Sequence, residues 1–103
     1  MTGDQTCALP ICLVYDSYAH AALDAKRSAE AVAAFERELQ LLGEGGAPKN
    51  DLAAVRFDLA RAVLSATHDQ ARARSLAQAA LADLKAAGDA DGVAEVSSWL
   101  AKH

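Results

Sequence analysis

Between Asp51 and Leu84 apolar residues recur every three or four positions. Leu52, Val55, Leu59, Ala62, Val63 and Ala66 form one stripe, and Ala73, Leu76, Ala77, Ala80, Leu81 and Leu84 form a second. That period places each set on one face of a helix. Arg56, Asp58, Arg61, Arg72, Arg74, Gln78 and Asp83 fall largely on the opposite faces. From Ser65 to Gln70 the pattern breaks, and Ser, Thr and Asp there compete for backbone groups and favour caps. Two amphipathic helices so closely joined lie antiparallel as a hairpin. One such hairpin cannot bury both apolar faces, so it needs neighbours of its own kind.

The flanking segments supply them. Leu13 to Ala25 reads as a helix with Val14, Tyr15, Tyr18, Ala19, Ala22 and Leu23 as its apolar set. Lys26 and Arg27 make a turn, and Ser28 is the expected N-cap of a helix running to Leu42, with Glu30 at its positive end. Ala31, Phe35, Leu39 and Leu42 point inward, while Glu36, Arg37, Glu38 and Gln40 are expected to face water. Gly43 to Pro48 stops that helix, because glycine permits a left-handed cap and proline forbids continuation. Asn50 is the expected cap of the central hairpin. Gly88 ends the hairpin, and Asp89 or Asp91 caps a last helix carrying Val93, Val96, Trp99 and Leu100. Trp99 is expected to cover the open apolar end of the hairpin, with Glu95, Ser97, Ser98 and Lys102 outward.

Composition narrows the class. Of 103 residues 52% are hydrophobic, but many are alanine and only 5% are aromatic. Alanine favours helix and buries little area, so the core is thin and its few large side chains matter. An all-α fold is expected. The net charge of −4 and scattered basic residues lack the cationic footprint of a nucleic-acid binder. No apolar run approaches the roughly 20 residues of a membrane span, nor is there a basic secretory leader. No membrane association and a cytoplasmic location are therefore expected.

The start of the chain fits nothing downstream. Residues 1–11 have no helical period. They resemble the translation of a common sequencing-library adapter. One frame of it gives Thr-Gly-Val-Gln-Thr-Cys-Ala-Leu-Pro-Ile, which residues 2–11 match except at Asp4. Residues 1–12 are accordingly set aside as a scar, and the rest is expected to be the C-terminal fragment of a larger protein. Cys7 and Cys12 then carry no disulfide or metal meaning, and no second cysteine pair accompanies them.

The two hairpins share a register. The first has Tyr15, Tyr18-Ala19 and Ala22, then Ala31-x3-Phe35-x2-Glu38-Leu39. The second has Val55 or Arg56, Leu59-Ala60 and Val63, then Ala73-x3-Ala77-x2-Ala80-Leu81. Small residues at the helix crossing, flanked by larger ones, at the spacing of a roughly 34-residue repeat with an insertion at the Gly-rich loop and about one extra residue in the second turn, resemble the tetratricopeptide repeat family. Ala19, Ala31, Ala60 and Ala73 match its small positions and Phe35 its aromatic. Its turn glycine is replaced by Lys26 and Thr67, and its final proline is absent after Leu42. The resemblance implies a right-handed α-solenoid: a repeat at 13–42, a loop at 43–50, a repeat at 51–87 and a capping helix at 89–102. The segment from Phe57 onward also looks like the last repeats attached to bacterial serine/threonine kinases and signalling regulators, a likeness of context rather than site. The alternative role implied is the sensor region of a kinase or transcriptional regulator whose output domain lies elsewhere.

By that resemblance the chain is a non-enzymatic protein-interaction scaffold. Its inner face is lined by the first helix of each repeat and carries Asp16, His20, Asp24, Phe57, Arg61 and Ser65. A solvated polar face is the plainer account of the same residues. The family's clamp for peptide carboxylates needs Lys and Asn here, whereas Asp16, His20 and Asp24 have the opposite charge. A basic or mixed protein segment is the expected partner, and acidic tails are not. No cofactor or metal is expected: no two of His20, His68 and His103 are spaced for a shared ion, and Gly43–Pro48 and Asp89–Gly92 each lack most of a phosphate or calcium loop. Ser65, Ser75 and His68-Asp69 lack any nucleophile elbow. Two repeats and a cap are few, so self-association through the edge around Leu13, Tyr15 and Tyr18 is expected.

Overall fold

The computed structural model describes residues 10–103, with side chains from Val14 onward. All regular structure among them is helical: α1 (Pro10–Asp24), α2 (Ser28–Glu44), α3 (Lys49–Thr67), α4 (Gln70–Ala87) and α5 (Ala90–Lys102). Each helix packs chiefly against the next in the chain. None is long and apolar enough to cross a membrane. The segment taken as a scar lies mostly outside the described residues, although α1 begins inside it, at Pro10.

Alanine lines the seams. Ala19, Ala22, Ala31, Ala60, Ala62, Ala73, Ala77 and Ala80 have no exposed surface, and each brings two backbones close because it carries only a methyl group. Two clusters of larger side chains fill the gaps. One gathers Phe35, Leu42, Val55, Leu59 and Val63 between the first three helices. The other gathers Phe57, Leu84 and Val96, with Leu81, Trp99 and Leu100 packed against it. Trp99 thus closes the α3–α4 hairpin, as its position in the pattern implies.

Three bonds tie helices that are not consecutive or reinforce those that are. His20 on α1 faces Asp58 on α3, Glu36 on α2 meets Arg72 on α4, and Arg56 on α3 pairs with Asp83 on α4. Arg74 Nη1 donates to the Leu100 carbonyl at 2.9 Å, anchoring α5 to α4. Exposed pairs such as Glu36–Arg72 contribute little energy, but they fix which faces meet.

The caps depart from expectation in instructive ways. Ser28 is not an N-cap. Arg27 occupies that position without a side-chain bond, and Ser28 turns inward to Ser65, 2.7 Å between hydroxyl oxygens. Asn50 is not a cap either. Pro48 precedes α3, its ring having preset φ at −59°, and the helix starts at Lys49. The loop is correspondingly shorter than 43–50. Gly43 remains helical, and Gly46 at φ 71° makes the left-handed step. There the amides of Gly46 and Ala47 return to the carbonyls of Gly43 and Leu42. The later caps follow expectation: Asp69 accepts from the Arg72 amide, and Asp89 from the Gly92 amide. Gly92 also lets α5 approach α4, because a Cβ there falls 2.7 Å from Leu84 Cδ2. In the two hairpin turns the left-handed residues are Lys26 (φ 64°) and His68 (φ 58°), so the second glycine-like position is His68 and not Thr67.

Candidate functional site

One turn of α1 separates Asp16 from His20, which puts both on the same helix face. His20 Nε2 lies 3.5 Å from Asp16 Oδ1 and 3.3 Å from Asp58 Oδ2, which α3 supplies. Both distances exceed those of a good N–H···O bond. The other oxygen of Asp58 is engaged by Arg61 Nη2 at 2.5 Å. Arg61 in turn lies over the Phe57 ring, 5.2 Å from its centroid, a cation–π distance. Phe57 stands edge-on to Trp99 at 5.8 Å, and Trp99 leans on His103 at 4.5 Å. A connected line of polar and aromatic groups therefore runs from α1 across α3 to α5. His20 also makes a T-shaped contact with Phe35, 5.2 Å between centroids.

Under this line lies Glu38. The helical period assigned it to water, but it is 2% exposed, and its Oε1 is buried without a hydrogen-bond partner. The reason is tertiary. α2 is covered on one flank by α1 and on another by α3, so its buried arc is wider than the single stripe of Ala31, Phe35 and Leu42. Burial, followed by the carboxylates of Asp16 and Asp58, pushes the Glu38 pKa up to about 8.

The six residues expected on the inner face divide. Asp16, His20, Phe57 and Arg61 are brought together through Asp58, a residue the sequence reading left as a generic polar position. Phe57 does not line the face as an open group: it is 7% exposed, with Arg61 and Trp99 against its ring. Asp24 and Ser65 lie elsewhere, in a groove of about 810 Å³ at the α1–α2 turn, beside Leu23, Lys26, Arg27 and Ser28. Ser65 spends its hydroxyl on Ser28. A signal for the missed members exists in retrospect. Asp16-x3-His20 is itself a ligand spacing on a helix, which the spacing of the three histidines alone does not reveal. Asp16, His20 and Asp58 offer donor atoms all within 4.8 Å of one another.

No protein-family model matches the chain, and no curated protein or solved structure matches it.

Proposed function

We propose that the chain is a non-enzymatic protein-interaction module, a right-handed solenoid of two tetratricopeptide-like repeats closed by α5, from a larger bacterial signalling protein. The order of packing supports the solenoid: neighbours in sequence are neighbours in space, α1 meets α3, and α2 meets α4. The observation that carries the binding role is the continuous line Asp16, His20, Asp58, Arg61, Phe57 and Trp99 across the first helices and the cap. It offers carboxylates at one end and an aromatic pair with a cation at the other. An extended segment with basic residues, followed by an apolar or aromatic one, complements it.

An array of basic, mixed and acidic-tailed peptides tests the reading. Basic and mixed peptides are retained, Asp16→Asn with Asp58→Asn weakens the basic ones, and Trp99→Ala weakens both. Retention of acidic tails alone, or of no peptide class, overturns it.

A further inference from the structure

The geometry points to a divalent transition-metal site at Asp16, His20 and Asp58, floored by Glu38. The site shares Asp16, His20 and Asp58 with the proposed peptide face, and three observations carry it.

The first is spacing. His20 Nε2 faces two carboxylate oxygens at 3.3 and 3.5 Å. One ring nitrogen carries at most one proton, so it cannot bond both carboxylates well at once. Metal–ligand bonds of about 2.0–2.2 Å put neighbouring ligands of a tetrahedral ion about 3.4 Å apart. His20 Nε2 is already at that separation from each carboxylate oxygen, and all three donors lie within 4.8 Å of one another.

The second is an unpartnered buried oxygen. Glu38 is 2% exposed and its Oε1 has no hydrogen-bond partner, although the carboxyl shares a hydrogen bond with Asp16. A buried polar atom left unpaired costs free energy. A cation among the three ligands gives that oxygen a partner, directly or through a ligated water, and offsets the accumulated negative charge.

The third is orientation. Arg61 Nη2 holds Asp58 Oδ1, which leaves Oδ2 turned toward His20. Metal-ligating carboxylates are commonly fixed in this way by an outer hydrogen bond. One imidazole with carboxylate oxygens suits zinc, manganese, cobalt or iron better than calcium, which prefers six or more oxygens. The half-exposed His20 and Asp16 leave the ion open to solvent on one side.

The test uses the full chain, freed of metal with a chelator and titrated separately with Zn²⁺, Co²⁺, Mn²⁺ and Ca²⁺. Binding of one Zn²⁺ or Co²⁺ per chain is expected, with a rise in Tm and a cobalt spectrum free of thiolate charge-transfer bands. His20→Gln and Asp16→Asn, both at half-exposed positions, each lower affinity by about tenfold to a hundredfold. Glu38→Gln lowers it less, and Asp24→Asn leaves it unchanged. Circular dichroism establishes that each variant is folded, and the wild-type titration stands without any variant. The proposal is overturned by the absence of binding to wild type. It is equally overturned by affinity that survives His20→Gln, or by a thiolate spectrum, which assigns the ion to Cys7 and Cys12.

Discussion

Ser28 Oγ and Ser65 Oγ lie 2.7 Å apart and join the first turn of α2 to the last turn of α3. Ser28 is buried and Ser65 is at the surface. The bond thus links α2 to α3 at the end of the molecule where the α1–α2 turn opens. Ser28→Ala is expected to cost about 1 kcal/mol, and the two serines to couple by about 0.5–1 kcal/mol in a double-mutant cycle. Urea unfolding of both single variants and the double variant measures this. A zero coupling energy would mean that Ser28 acts only on its own helix.

Phe35 is fully buried among Ala19, Ala22, Leu59 and Val63, and it meets the His20 ring in a T-shaped contact. In a core made mostly of methyl groups nothing nearby is large enough to fill the space it leaves. Phe35→Ala is expected to cost about 3–5 kcal/mol and to loosen His20 with it. Phe35→Leu, which keeps most of the volume, costs less than half of that. Similar losses for the two substitutions in thermal melts would show that the site collapses freely and that the core is not thin there.

Lys26 and His68 hold left-handed backbone at φ 64° and 58° in the two hairpin turns. For a residue with a Cβ that conformation costs roughly 1–2 kcal/mol, partly regained by the smaller entropy such a residue loses on folding. Lys26→Gly and His68→Gly are each expected to stabilise by about 0.5–1 kcal/mol. Thr67→Gly, within α3, destabilises instead, and it also removes the hydroxyl that donates to the Val63 carbonyl. Denaturant midpoints read both signs. A destabilised His68→Gly would place the turn's left-handed residue elsewhere.

These turns show how far pattern carries and where it stops. Helix number, the alanine seams, Phe35, Leu59 and the docking of Trp99 follow from period and residue size, because those depend on a single helix and its apolar arc. Ser28, Asn50 and Glu38 depart from the pattern for a shared reason. A cap residue and a buried one are both decided by what the neighbouring helix brings, and helix period is blind to that. Asp58 illustrates the same limit at the candidate site. By spacing it is one more surface carboxylate of α3, and only the approach of α1 turns it into the link between His20 and Arg61.

Glu38 gives the metal-free protein a specific dependence on pH. Its carboxyl is raised from the ordinary 4.5 to about 8, first by burial and then by Asp16 and Asp58. From α1, Asp16 and His20 face it, and from α3 comes Asp58 with its Arg61 partner. Between those two pH values the folded chain holds a proton that the unfolded chain has released. Stability from this group is therefore fully present below pH 4.5 and is lost as pH rises through about 8. Urea melts with a chelator present are expected to lose on the order of a few kcal/mol between about pH 5 and about pH 8.5. Glu38→Gln flattens the slope and is the more stable protein at the upper end. Parallel slopes in the two proteins would remove Glu38 as the cause.

The exposed edge of α1 is expected to set the association state. Val14 is 63% exposed and Tyr18 45%, the two large apolar side chains most open to water among the described residues. Tyr15, expected with them, instead packs against the first cluster, and the side chain of Leu13 lies outside the described residues. Tyr18 is partly tethered, its hydroxyl bonded to Glu30, yet nearly half of it stays exposed. In a stacked array this is the face another hairpin covers, and a second copy of the chain can cover it in the same way. Sedimentation is expected to show a dimer that grows with concentration. Val14→Lys with Tyr18→Lys returns the chain to monomer without lowering its Tm at low concentration, since neither side chain is in the core. A wild type that stays monomeric throughout, with a Tm independent of concentration, would show that the edge is tolerated bare.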